Sequence, residues 1–332
     1  MTRDSYGMTE KPRIVFMGTP EFAVASLGSL LMNNYDVVGV VSAPDKAAGR
    51  GRNIRKSPVA MYALSNCLNL LQPPNLKDPE FLKQLSDLRP DLIVVVAFRL
   101  LPAHVWKIPP YGTINLHASL LPQYRGAAPI NHAIINGEHY TGVTTFIIDE
   151  EIDTGKILMR EKVAIGMNEN AGDLHDRLMR TGAKLLITTI DKLLRKDIAA
   201  VPQDEFLNEL NEIRIAPRIF PKDCIIDWSN RPDTVFNHIR GMAPYPGART
   251  ILEKEGKRTT LKILEAEIVD AKHSLEPGTI ITDNKKKLII TVSGGQIKLR
   301  KVQAEGKKIM SIEEFMRGYD LSGYTIAKVL PA

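Results

Sequence analysis

The sequence predicts an α/β protein: a doubly wound, mostly parallel sheet followed by a small OB-like β-barrel domain. Short apolar runs alternate with helical patterns up to about residue 195. A stretch rich in proline and charge comes next, and beyond it the β-prone runs lie close together, separated by Gly, Asp, Asn and Lys.

The runs 14–17, 37–41, 92–97 and 113–116 are rich in β-branched residues and do not alternate strictly with polar ones. That is the pattern of strands buried on both faces of a parallel sheet. Between them, Ser57-Pro58 and Asp78-Pro79 each set a capping residue before a proline suited to the first helical position. A further strand is expected at 142–148, and 173–195 reads as a long amphipathic helix with Leu174, Leu178, Leu185 and Leu193 facing the core. Residues 199–217 have no periodicity and read as a linker, dividing the chain into 1–198, the linker, and 218–332. In the last part Asn230-Arg231-Pro232 opens a helix and GMAPYPGA makes a rigid turn. Strands are expected over 250–252, 259–269, 279–282, 288–292 and 297–302, and a capping box at Ser311–Glu314 starts a final helix.

The chain of 332 residues, 44% of them hydrophobic, can bury two cores. A net charge of +6 permits a polyanionic partner without requiring one. Cys67 and Cys224 are far apart and match no CxxC or Cys/His spacing, so neither a disulfide scaffold nor a metal is expected, and a reducing cytoplasm fits. The N-terminal residues lack the apolar core of a secretory signal, and the longest apolar run, 92–98, is far short of the roughly 20 residues that span a bilayer. A soluble monomer with no membrane association is expected.

The chemistry concentrates at Asn115-Leu116-His117, with Asp153 farther along in EIDTG. An acyl group passing between nitrogens goes through a tetrahedral adduct bearing O⁻, which needs a donor for the oxygen, a proton carrier, and a charge partner for that carrier. Asn, His and Asp suit those three tasks. Each also has a plainer reading: Asn115 could satisfy backbone groups at a strand end, and Asp153 could make an Asx turn. Pro122, Gly126 and Pro129 break the segment after the strand, and Gly126 suits a backbone that approaches a ligand closely. Open α/β sheets bind ligands just beyond such strand ends.

The stretch INLHASLLPQYRGAAPIN, with TGVTTF and EIDTGKIL downstream and RIVFMGTPEFA near the start, resembles the folate-dependent formyltransferases from about Arg13 to about Tyr324. CIIDW, HIRGMAPYPGA and MSIEEFMRG resemble the carboxyl-terminal domain of the branch that acts on methionyl-tRNA. The resemblance implies transfer of a formyl group from N10 of 10-formyltetrahydrofolate to the α-amine of initiator methionyl-tRNA, for translation initiation in a bacterial cytoplasm. It implies a catalytic trio of Asn115 as oxyanion donor, His117 as second donor and proton carrier, and Asp153. Asp153 would either favour the imidazolium and fix its ring or act on the amine through water.

For the folate, the resemblance points to Phe98, Arg99, Leu100 and Leu101 and to Ser119, Leu120, Leu121 and Pro122, whose apolar groups would flank the pterin while backbone groups read its edge. The VAFRLLP loop departs from the tRNA-acting branch, which has a glycine-containing segment one residue longer. Gln123-Tyr124 stand for a usual Arg-Trp, and Asn131 for a usual glutamine. The loop with Lys46, Arg50, Arg52, Arg55 and Lys56 would hold tRNA phosphates, with Arg50 the leading contact. Lys285-Lys286-Lys287, Lys298-Arg300-Lys301 and Lys307-Lys308 either track the tRNA backbone or guard strand edges.

An N-formyltransferase of amino-sugar nucleotides shares the trio and the LLPQYRGxAP loop, but the AGRG loop and the PYPGA-containing domain weigh against it. A dinucleotide-dependent dehydrogenase fails because FMGTPEFA is not GxGxxG. A silent RNA-binding module leaves Asn115, His117 and Asp153 unexplained.

Overall fold

Strand β1 (Arg13–Gly18), five of its six residues buried, is an interior strand of a seven-stranded sheet. The computed structural model describes residues 11–48, 53–209, 212–271 and 273–327. They form two units: one of residues up to 126 with 141–163 and 175–215, the other of 127–140, 164–174 and the chain from 216 on.

In the first unit β1 leads through α1 (Glu21–Met32) to β2 (Asp36–Val41), then to a ribbon of β3 (Lys46–Ala48) and β4 (Asn53–Arg55). There follow α2 (Pro58–Ser65), β5 (Leu70–Leu71), α3 (Pro79–Asp87), β6 (Leu92–Val96), α4 (Ala103–Trp106), β7 (Thr113–His117) and β8 (Arg125–Gly126). After α5 (Pro129–Ile135), which belongs to the second unit, come β9 (Tyr140–Ile147), β10 (Ile157–Ala164) and α6 (Ala171–Leu194). The helix caps are those legible in the sequence: Ser57 accepts the Ala60 N–H at 3.0 Å, and Asp78 accepts that of Glu80 at 3.1 Å.

The strand order is β10-β9-β7-β6-β1-β2-β5, with β1, β2, β5, β6 and β7 parallel and β9 antiparallel to β7. From β1 the chain winds outward through β2 to β5, then returns to β6 on the other side. The order therefore reverses between β1 and β6, and the carboxyl ends of β6 and β7 lie beside that switch point, where doubly wound sheets bind ligands. Helix α6 packs on β7 so closely that a Cβ at Gly182 would sit 2.8 Å from Leu116 Cδ2. Val15, Met17, Ile93, Val95, Phe81 and Leu85 form a core cluster beneath the sheet.

The second unit contains β11 (Ile215–Ala216) from Ala216 on, α7 (Pro232–Met242), β12 (Ala248–Lys254), β13 (Lys257–Val269), β14 (Ile280–Thr282) and β15 (Leu288–Val292). They are followed by β16 (Gly295–Ala304), β17 (Met310–Ser311), α8 (Ile312–Met316) and β18 (Thr325–Ile326). An antiparallel sheet in the order β14-β15-β16-β13-β12-β18 curls into a nearly closed barrel. Register shifts near Glu265 interrupt the β13–β16 ladder, the device by which a long strand bends. Trp228, Val235, Ile239, Leu261, Val302 and Phe315 fill its interior. The capping box forms at α8: Ser311 Oγ accepts the Glu314 N–H at 3.2 Å and Glu314 accepts the Ser311 N–H at 2.9 Å. Asn131 belongs to this unit and donates to the Gly241 carbonyl at 2.7 Å.

Candidate active site

Asn115 and His117 are two residues apart on β7, so both side chains leave the same face of the sheet. Their strand is central: Asn115 is paired with Val95 of β6 on one side and Phe146 of β9 on the other. Asn115 is half-buried, and its Oδ1 is enclosed without a hydrogen-bond partner among the described residues. The other end of the amide, Nδ2, is a donor.

After His117 the chain is held by a ladder of side-chain bonds. Ser119 Oγ donates to the Gln123 carbonyl at 2.6 Å, Thr144 Oγ1 donates to the Ser119 carbonyl at 2.7 Å, and the Leu121 N–H donates to Thr144 Oγ1 at 3.1 Å. Arg160 donates to the Leu121 carbonyl at 3.2 Å. The result turns the Tyr124 carbonyl to His117 Nε2, 2.9 Å away. Because a carbonyl only accepts, Nε2 carries a proton, and Nδ1 is the edge that faces Asp153.

Asp153 Oδ2 accepts the Gly126 N–H at 2.9 Å and lies 3.8 Å from His117 Nδ1. That separation is an ion-pair distance rather than a hydrogen bond, and sites without substrate are often this loose. Both groups are largely shielded, the side chains being 8% and 12% exposed, so their attraction is little screened by solvent. Tyr124 and Asp153, which flank the imidazole, have φ of 60° and 57°. Left-handed backbone at a bulky residue such as Tyr124 is uncommon and clusters at functional sites. In the turn carrying Asp153, the Asx-type contacts belong to Asp149, which accepts the Glu151 N–H at 3.2 Å and the Thr154 hydroxyl at 2.8 Å. The turn closes against β9 at Gly155, where a Cβ would lie 1.7 Å from the Ile147 carbonyl oxygen.

The two segments expected at the folate follow β6 and β7, adjacent strands of one sheet edge. Ser119, Leu121, Pro122 and Leu101 are buried, Phe98, Arg99 and Leu120 are half-buried, and Leu100 is exposed. Both backbone groups of Leu121 are taken by Thr144 and Arg160, so they face protein. Arg99 donates to the carbonyls of Pro73 and Pro74, and burial lowers its pKa from the usual guanidinium value.

Of the basic loop, Arg50, Arg52 and the side chain of Lys46 lie outside the described residues. Arg55 is exposed, and exposed Lys56 bonds Asp45 at 2.9 Å. In the barrel, Lys298 and Arg300 pair with Glu267, and Lys301 with Glu265. Lys285, Lys286 and Lys287 sit on a turn whose three backbone N–H groups bond Asp283, holding its carboxyl down at about 2. Among the described residues no group of three or more His, Cys, Asp or Glu could hold a metal, and no helix is long and apolar enough to cross a membrane.

Residues 12–190 match the formyl transferase family and 218–320 match the formyl transferase C-terminal domain. The methionyl-tRNA formyltransferase of Azobacteroides pseudotrichonymphae is 51% identical over 93% of this chain and 96% of its own. That of Flavobacterium johnsoniae is 49% identical over 94% and 98%. The chain belongs to the methionyl-tRNA formyltransferase family. A solved N-formyltransferase from Helicobacter canadensis, in complex with folinic acid and dTDP-3-aminofucose, shares the fold of this formyltransferase at a TM-score of 0.63 and 20% identity, over 88% of this chain and 98% of that one.

Sequence reasoning passed over four residues that shape the site of this formyltransferase. Thr144 and Arg160 hold the loop after β7, and Arg125 and Gln203 bond each other beside Asp153. Arg125 lies within the family motif and Thr144 within TGVTTF, so both were in view as motif letters. Gln203 lies in the stretch without periodicity, where nothing local marks it.

Proposed function

We propose that this protein transfers the formyl group of 10-formyltetrahydrofolate to the α-amine of initiator methionyl-tRNA, giving N-formylmethionyl-tRNA for translation initiation in a bacterial cytoplasm. The observation that carries it is the Asn115 amide on the same face of β7 as an imidazole tethered through Nε2, with its Nδ1 3.8 Å from Asp153. The likeness at 51% identity to a methionyl-tRNA formyltransferase supports the acceptor, and the match to the formyl transferase family supports a formyl-tetrahydrofolate donor.

The co-substrate supplies the formyl carbon. Nα of the aminoacyl group forms a bond to that carbon, the bond from the carbon to N10 breaks, and one proton passes from Nα to N10. An amine whose own carboxyl is esterified has a pKa below the roughly 7.7 to 8.0 of a free α-amine, so it attacks as the neutral base. Asn115 Nδ2 and a protonated His117 Nδ1 donate to the oxygen as it becomes O⁻; a donor of that kind is worth about 2.7 to 4 kcal/mol of barrier. Asp153 balances the charge on the ring, and its Oδ1, free of protein hydrogen bonds among the described residues, accepts the amine proton. Leu100 and Leu120, at the ends of adjacent strands, offer apolar contact to the pterin.

For the tRNA, Arg55 at the end of β4 and the adjacent Lys56 are exposed, and Lys46, Arg50 and Arg52 belong to the same basic stretch of the sequence. In the second unit Lys285, Lys286 and Lys287 are the better candidates for phosphate contact, because Lys298, Arg300 and Lys301 already have carboxylate partners.

The test is formylation of charged initiator methionyl-tRNA by the purified protein with 10-formyltetrahydrofolate, with an amino-sugar nucleotide as competing acceptor. The expected result is N-formylmethionyl-tRNA, reduced roughly 10² to 10³-fold by Asn115→Ala. Formylation of the sugar alone overturns the reading.

A further inference from the structure

Residues 201–209 and 212–214 belong to the first unit, and several of them bond its catalytic loops. Val201 exchanges two backbone bonds with Ile157, both 2.8 Å. Phe206 lies under the Arg160 guanidinium, 3.7 Å from its ring centroid, and Arg160 holds the Leu121 carbonyl. The Arg214 carbonyl accepts the Tyr124 N–H at 2.7 Å, and the Arg214 N–H donates to Gln123 Oε1 at 2.7 Å.

Gln203 is 3% exposed. Its Nε2 donates to the carbonyls of Asp153 at 2.8 Å and Gly155 at 2.9 Å, and its Oε1 accepts from Arg125 Nη2 at 2.7 Å and Nε at 3.0 Å. Two N–H groups and two lone pairs are all that a side-chain amide offers, so this one is fully used. Its partners lie on both sides of one contact. Asp153 supplies the carboxylate, and Arg125 immediately precedes Gly126, whose N–H holds that carboxylate.

We infer that Gln203 is a positioning residue for Asp153: its amide fixes the turn bearing the carboxylate against the segment that binds it, and so sets the carboxylate's distance from His117. Gln203 and Arg214 are thereby part of the active site, with Arg214 tethering Tyr124 on one side of the imidazole and Gln203 tethering Asp153 on the other. A glutamate at 203 keeps an acceptor for Arg125 but turns an oxygen towards two carbonyl oxygens. An apolar residue leaves both carbonyls and the guanidinium without partners.

This inference rests on the catalytic reading above, and the experiment separates the two. Gln203→Glu and Gln203→Leu are each combined with Asp153→Asn in the full-length protein, and kcat, KM for each substrate and melting temperature are measured. Each single variant is expected to lose about tenfold or more in kcat with both KM values within about twofold. Each double variant is expected to be no slower than Asp153→Asn alone, because residues acting as one unit are not additive. Losses that multiply, or that fall on KM alone, overturn the inference. Independently of turnover, the ring ¹⁵N resonances of His117, assigned with His117→Gln, are expected to move in both Gln203 variants as they do in Asp153→Asn. Unmoved resonances overturn it as well. A wild-type protein inactive on methionyl-tRNA would refute the proposed function, while the resonances would still decide the role of Gln203.

Discussion

The Gly126 N–H holds Asp153 Oδ2 at 2.9 Å, and the same carboxylate oxygen lies 3.8 Å from His117 Nδ1. The imidazole thus stands between two groups held by backbone, the Tyr124 carbonyl on Nε2 and the Asp153 carboxylate opposite Nδ1.

Asp153→Asn preserves an oxygen for the Gly126 N–H while removing the charge. The expected outcome is a loss of about 10² or more in kcat with an unchanged melting temperature, read by single-turnover formylation and thermal denaturation. Retained activity would make Asp153 a turn-former only.

Gly155→Ala puts a methyl 1.7 Å from the Ile147 carbonyl oxygen, and neither partner is a flexible side-chain end. The turn bearing Asp153 must move. A loss of about 3 kcal/mol or more in denaturant unfolding is expected, together with loss of formyl transfer.

Half-buried His238 in α7 has a pKa below its ordinary 6.5, chiefly because burial disfavours the imidazolium; Cys224 and Asp223 oppose that shift without cancelling it. As pH falls below about 6.5 the unfolded chain gains a proton that the folded chain refuses. The stability contributed is therefore complete above that pH and is lost as pH falls towards the folded value. His238→Gln should flatten the decline in melting temperature of the second unit between pH 7 and pH 5; an identical slope in wild type and variant would remove His238 as its source.

Arg55→Glu should raise KM for methionyl-tRNA and lower the salt dependence of binding by about one counterion, leaving KM for the folate unchanged. Arg300→Ala, whose native guanidinium bonds Glu267 at 2.7 and 2.9 Å, should change tRNA binding far less. Equal effects of the two would place the barrel strand on the tRNA.

The amino-acid sequence by itself determined the parts whose causes are local. Runs of β-branched residues marked β1, β2, β6 and β7, a proline after Ser57 and Asp78 marked the starts of α2 and α3, and the spacing of Asn115 and His117 put them on one face of a strand. Each depends on neighbours within a turn of helix or a few residues of strand, so periodicity and capping chemistry reveal it. Tertiary structure alone decided that residues 127–140 and 164–174 join the second unit, that the cations of β16 meet Glu265 and Glu267, and that Gln203 bonds residues 48, 50 and 78 positions away. A single buried amide has no period and no local partner; its place is set by which loops the folded sheet brings to the same edge.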